Sequence, residues 1–157
     1  MSERSTARRR TVIISFISGK GGVGKTALTA SVGKVLALMG YKVLLVDSDL
    51  ITHGLTFLLG FNPKKAGFLE VYNNFKDFAK LYISGKKKEA DKVVKEFRKA
   101  FEIGEVCEIS KKLYFIQSTS KPSKKYSKQV STEADEISRF FTYFIEDFVR
   151  SKEYDFI

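Results

Sequence analysis

Nine consecutive residues, Ser18-Gly-Lys-Gly-Gly-Val-Gly-Lys-Thr26, limit what this chain can fold into more than any other stretch. Gly19 stands ahead of Gly24-Lys25-Thr26 at the spacing of a phosphate-binding loop. Such a loop needs a strand leading in and a helix leading out. Val12-Ile-Ile-Ser-Phe-Ile-Ser18 is almost wholly apolar and β-prone, which predicts a parallel strand covered on both faces. Between Thr26 and Met39, residues Leu28, Val32, Val35, Leu36 and Met39 recur at helical spacing on one face. Gly40 follows where a helix C-terminus prefers glycine. Lys42-Val-Leu-Leu-Val-Asp47 reads as a second buried strand. Strand, helix and strand with short connections build a right-handed βαβ unit. The expected fold is α/β, a mostly parallel sheet flanked by helices.

Charge sets the chemistry of the loop. The β- and γ-phosphates of a nucleotide need many donors at close range. Glycines let the backbone curl so that successive N–H groups point inward with no side chain in the way. The helix that follows adds unpaired N–H groups and a partial positive charge. The candidate binding set is Gly19, Lys20, Gly21, Gly22, Val23, Gly24, Lys25, Thr26 and Ala27. Lys25 is expected to reach the β- and γ-phosphates and the Thr26 hydroxyl to ligate Mg²⁺. The second strand ends in Asp47-Ser48-Asp49, at the edge where parallel sheets bind ligands. A carboxylate there can support Mg²⁺ through water or orient an attacking water. Two turn-forming aspartates leaving a strand are the plainer alternative.

Lys20-Gly-Gly-Val-Gly-Lys25-Thr26 resembles the deviant Walker A motif of the ParA/MinD family of P-loop ATPases, with Lys20 at the place of its additional lysine. The resemblance is clear from Thr11 to Gly60 and holds in outline beyond. It implies a P-loop NTPase fold, ATP with Mg²⁺, and a nucleotide-dependent homodimer in which Lys20 crosses to the partner's nucleotide. It also implies that Asp49 assists hydrolysis and that Asp47 supports the metal. Leu50 to Asn62 corresponds to a first switch segment. Its Leu55, Leu58, Leu59 and Gly60 resemble the family ending, whereas Ile51-Thr52-His53-Gly54 departs from the common versions. His53, the only histidine, is expected to be a solvated loop residue.

With 157 residues, 43% hydrophobic and 29% charged, the chain can bury the core of one domain. Residues 1–10 are read as a basic mobile tail and 11–157 as the nucleotide-binding domain. The arginines before Thr11 superficially suggest a signal peptide, but the apolar run ends in the phosphate loop without a small-residue cleavage site. No stretch approaches the roughly 18 apolar residues of a membrane span. One cysteine, Cys107, excludes an internal disulfide and suits the cytoplasm, the expected location. A net charge of +10 favours contact with nucleic acid, an anionic membrane surface or an acidic partner protein.

The segment 64–104 carries two apolar faces at helical spacing, split at Gly85: Phe68 to Tyr82 and Ala90 to Phe101. Its many lysines form either a solvated outer surface, a platform for phosphates or an acidic partner, or a membrane-lying face. Leu113 to Ser118 reads as a third strand, paired with a short one near Glu105 to Ile109. Ser118 to Ser131 reads as a polar loop. Thr132 with Asp135 marks a helix start, and Ile137, Phe140, Phe141, Phe144, Ile145, Phe148 and Val149 form its buried stripe. Lys152 to Ile157 resembles the start of a strand that, in the family, runs on to a further aspartate, so a fold truncated at its C-terminus is expected. Two functions follow: an ATPase that switches by dimerising, for partitioning or positioning, or a nucleotide-binding module without turnover.

Overall fold

A computed structural model describes residues 11–60, 62, 64, 66–86, 88–89, 104–105, 112–121, 124–145 and 154–157. The basic tail, Cys107, the helical face expected over Ala90 to Phe101, and Phe148 with Val149 lie outside the described residues. The described elements are α1 (Lys25–Leu38), β1 (Val43–Val46), α2 (Gly54–Leu59), α3 (Phe68–Ile83), β2 (Gly104–Glu105), β3 (Leu113–Ile116), α4 (Lys124–Thr132) and α5 (Ala134–Tyr143).

Strands β1 and β3 run parallel in the register Val43↔Leu113, Leu44↔Tyr114, Leu45↔Phe115 and Val46↔Ile116. β2 pairs antiparallel on the far side of β3. Because side chains alternate along a strand, the ladder separates two cores. Val43, Leu45, Leu113 and Phe115 meet Ala37 of α1 and Leu55 of α2. Leu44 and Ile116 meet Phe68, Leu69, Val71 and Tyr72 of α3 and Ile137, Phe140 and Phe144 near α5. The second core is aromatic: Phe68 meets Phe141 edge-on at 5.2 Å between ring centres, and Tyr72 meets Phe140 at 5.6 Å. Burying each such side chain contributes about 1.5–3 kcal/mol.

Expectation and structure part at three places. The stretch Val12 to Ser18 is not a covered strand. Val12 forms one parallel bridge with Phe156, and Ile13, Ile14 and Ile17 are exposed, Ile17 by 87%. The Val12 N–H donates to Asp155, the Ile157 N–H to Val12, and the Ile14 N–H to the Ile157 carbonyl. On their other side residues 155–156 bond to Lys42 and Leu44, so this short segment lies between 12–14 and β1. The expected extended segment at Lys152 to Ile157 thus appears in its last residues.

Helix α1 is turned from its predicted face. Leu28, Val35 and Met39 are more than half exposed, while Gly33 and Ala37 are buried. A Cβ on Gly33 would stand 2.6 Å from Leu45 Cδ2, so the helix rests on β1 through Gly33 and Ala37, with Leu36 of the predicted face packed against the same core and Val32 half-buried. Burial follows closeness of approach here, which hydropathy does not encode. Gly40, at φ 92°, ends α1 as expected, its N–H donating to Ala37.

The polar stretch after β3 is not a loop throughout. Gln117 to Ser120 are buried, and α4 occupies Lys124–Thr132. Tyr126 and Val130, one turn apart, pack against the aromatic core and give this lysine-rich segment its helical anchor. Thr132 does not cap α5, since its hydroxyl donates back to the Lys128 carbonyl at 2.9 Å. The stripe of α5 stands as expected, with Ile137 and Phe140 buried.

Gly67 makes a closer approach than the other described glycines. Its missing Cβ would lie 2.5 Å from the backbone of Thr119. Gly67→Ala is expected to lower stability by about 1–3 kcal/mol, because backbone must move. Gly33→Ala should cost less, since the Leu45 side chain can turn. Urea titration of both variants checks the order.

Candidate functional site

The phosphate loop owes its shape to two glycines in left-handed backbone, Gly22 at φ 74° and Gly24 at φ 88°. A Cβ on Gly19, Gly21, Gly22 or Gly24 would meet nothing within 4 Å, unlike Gly33 and Gly67. These glycines therefore do not serve packing; they keep an open concave backbone clear of side chains. Helix α1 starts at Lys25 with no side-chain cap and no acidic residue in its first turn. Its N-terminal N–H groups and positive dipole end are thereby available to an anion. The Lys25 ammonium donates to Ser18 Oγ at 3.0 Å, which holds it back over the loop, and Ser18 Oγ donates to the Lys20 carbonyl at 2.8 Å.

Lys25, Thr26, Asp47 and Asp49 line one cleft of about 290 Å³ that opens between residues 13–17 and β1. Lys20 and the other loop residues up to Gly24 are not on its wall. Thr26 sits against the start of α2: a Cβ on Gly54 would lie 2.8 Å from Thr26 Oγ1. Val23 and Ala27 are exposed at the loop and the first turn of α1.

The two aspartates have different surroundings. Asp47 is 3% exposed. Its Oδ2 accepts from the Thr56 N–H at 2.7 Å and the Thr56 hydroxyl at 2.6 Å, and its Oδ1 accepts from the Asp49 N–H at 3.1 Å. Burial pushes its pKa above the ordinary value, and the Thr56 and Asp49 hydrogen bonds only partly offset this. Asp49 organises the turn after it, accepting from the N–H groups of Ile51 and Thr52 and from the Thr52 hydroxyl. Its partial burial alone would raise its pKa, but those donors outweigh burial and hold the carboxyl below the usual range.

His53 corrects the expectation of a solvated histidine. It is buried, adopts φ 53° ahead of α2, and its Nδ1 lies 2.7 Å from Ser118 Oγ. Thr56 and Ser118, absent from the expected set, complete a buried polar cluster: Thr56 Oγ1 lies 3.0 Å from Ser118 Oγ and accepts from the Ser118 N–H at 2.9 Å. The sequence carried a signal for Ser118, a polar run at the carboxyl end of a parallel strand. Nothing in the sequence singles out Thr56. Among the described residues no three His, Cys, Asp or Glu side chains gather as a metal cage. The donor set, the Thr26 hydroxyl and the Asp47 carboxylate on the wall of one cleft, suits Mg²⁺ that takes its remaining ligands from phosphate and water.

Fold and loop together define a class, the phosphate-loop nucleotide-binding domains. Residues 14–148 match the model of the CobQ/CobB/MinD/ParA nucleotide binding domain, and the chain belongs to that family. A putative septum site-determining protein MinD of Tupiella akineta is 54% identical over 48 residues, 31% of this chain and 16% of that protein. The septum site-determining protein MinD of Synechocystis is 50% identical over 52 residues, 33% of this chain and 20% of that protein. An uncharacterized ATP-binding protein of Methanocaldococcus jannaschii is 42% identical over 66 residues, 42% of this chain and 25% of that protein. The matched stretch thus spans a quarter or less of these relatives. No solved structure matches the chain. Among the described residues no helix is long and apolar enough to cross a membrane.

The carboxylates make opposite contributions to pH-dependent stability. The lowered Asp49 value stabilises the fold above its unfolded pKa of about 3.9, and this is lost as pH falls through the folded value. The raised Asp47 value works the other way: its contribution is full below about 3.9 and is lost as pH rises through the folded value. Thr56→Val removes a donor from Asp47 and should raise its pKa further. Urea titrations should then show a larger loss at neutral pH, about 1–3 kcal/mol, than at acid pH where Asp47 is protonated.

Proposed function

We propose that the chain binds ATP with Mg²⁺ and belongs to an ATPase that switches by nucleotide-dependent dimerisation. The observation that carries this reading is the unpacked glycine loop opening an uncapped helix whose first residue is Lys25. In it, the loop from Gly19 to Ala27 cradles the phosphates through backbone N–H groups, and Lys25 neutralises the β- and γ-phosphates. Thr26 holds Mg²⁺, with Asp47 beside it. Bound there, Mg²⁺ would supply charge neutralisation at the phosphate oxygens. Asp49 accepts a hydrogen bond from the attacking water. Lys20, outside the cleft, acts toward a second copy. The septum site-determining names of the relatives support a partitioning or positioning role, with DNA, a membrane surface or a partner protein as the anchor and the cytoplasm as the setting.

One observation favours a second reading, a nucleotide-binding module without turnover. The Asp49 carboxylate is occupied by Ile51 and Thr52 in the turn that follows it. Turnover therefore requires that turn to rearrange when nucleotide binds.

Equilibrium binding of a fluorescent ATP analogue tests the first part. Lys25→Ala should weaken binding at least about tenfold, the order of one charge-assisted contact. Unchanged affinity would sink the reading. Single-turnover phosphate release separates the two forms: release that disappears in Asp49→Ala means an ATPase, and no release from a chain that binds ATP means a binding module.

A further inference from the structure

We propose that His53 is a positioning residue for the phosphate site, holding the Asp47 carboxylate through Ser118 and Thr56. The inference rests on the Mg²⁺·ATP reading above for its consequence, but its hydrogen-bond order follows from valence with Asp47 ionised. Thr56 Oγ1 has three close polar neighbours: Asp47 Oδ2 at 2.6 Å, the Ser118 backbone nitrogen at 2.9 Å and Ser118 Oγ at 3.0 Å. An ionised carboxylate only accepts, so the Thr56 proton goes to Asp47. The Ser118 N–H only donates, which takes one Thr56 lone pair. The other accepts the Ser118 hydroxyl proton. Ser118 Oγ has then spent its hydrogen, and at 2.7 Å from His53 Nδ1 it must accept. His53 therefore carries its proton on Nδ1. Four side chains form one directed chain, His53 to Ser118 to Thr56 to Asp47, with every donor aimed at the carboxylate.

The backbone around this chain is built to hold it. His53 sits at φ 53°, a region that non-glycine residues seldom occupy and in which histidine is enriched. Its N–H donates to the Asp49 carbonyl, and its own carbonyl accepts from Phe57 within α2. Ser118 is fully buried, and its carbonyl accepts from the Leu69 N–H at the start of α3. The imidazole thus pins the turn carrying Asp49 to the run after β3 while fixing Asp47 in the cleft it shares with Thr26. Without it, the Ser118 hydroxyl is free to turn away from Thr56, and the Asp47 carboxylate is held less firmly in the cleft it shares with Thr26.

The test uses the 157-residue chain. As the single histidine, His53 gives unambiguous imidazole ¹⁵N signals, recorded near about pH 8.5, where an ordinary imidazole is neutral. The expected result is the Nδ1–H tautomer, with that preference lost in Ser118→Ala; an Nε2–H tautomer in the unaltered chain overturns the proposal. His53→Asn, which tolerates the same backbone, supplies the functional measurement. The gain in ATP affinity on adding Mg²⁺ should shrink about fivefold, the weight of one net hydrogen bond, while affinity in EDTA stays the same. An unchanged Mg²⁺ gain in a folded His53→Asn variant overturns the positioning role. An unaltered chain that binds no nucleotide overturns the ATP reading and the positioning role with it, and the tautomer then decides the hydrogen-bond chain alone.

Discussion

The parallel ladder between β1 and β3 is the constraint on which the rest depends. Its four residue pairs put Val43, Leu45, Leu113 and Phe115 on one side and Leu44, Val46, Tyr114 and Ile116 on the other. A slip of one residue would exchange these sets. The small-residue seat of α1 would then face the aromatic core, and the Phe68, Tyr72 and Phe140 cluster would face α1. The same register brings Asp47, just past β1, level with the run after β3, where the Asp47 N–H donates to Ile116. The polar cluster exists because two strand ends finish side by side.

That run, Gln117 to Ser120, is an unusual use of polar side chains. All four are buried, and each is engaged. Gln117 clamps the Asn62 backbone, donating to its carbonyl and accepting from its N–H. Ser118 joins His53 and Thr56. The Thr119 hydroxyl and the Ser120 backbone N–H donate to Glu70, whose other oxygen accepts from the Gly67 N–H and so closes the first turn of α3. A buried polar group without a partner costs about 1–3 kcal/mol, so satisfied groups of this kind define one arrangement rather than many. The phosphate side of the sheet and the start of α3 are thereby parts of one hydrogen-bonded body.

Much of this was legible in the sequence. The phosphate loop, β1, the acidic strand end, α3 with its stop at Gly85 and the apolar stripe of α5 follow from glycine spacing and hydrophobic period. The misreadings share a cause: periodicity reports which residues are apolar, not which are close. Leu28, Val35 and Met39 fit a helical face, yet α1 lands on Gly33 and Ala37, because only small residues admit contact with Leu45. Of the strand-like run Val12 to Ser18, Val12 and Ile14 pair with residues 155–157. His53 was hidden because its partner Ser118 lies 65 residues away. Its burial is a tertiary fact carried by no local pattern.

The entry to the phosphate loop has a temporal consequence. The Thr11 hydroxyl bonds to the Tyr154 carbonyl across 143 residues, and Val12 and Ile14 pair with 155–157. Contacts of such separation are late to form, since loop closure must be met before they reward it. During synthesis the loop leaves the ribosome early, but the segment that leads into it gains these hydrogen bonds only after residues 154–157 emerge. The β1–β3 ladder and the aromatic core can assemble first. A nascent chain would therefore pass through a stage with its core in place and its ligand loop still loosely held, and the site matures only once residues 154–157 are available, although it is encoded near the beginning.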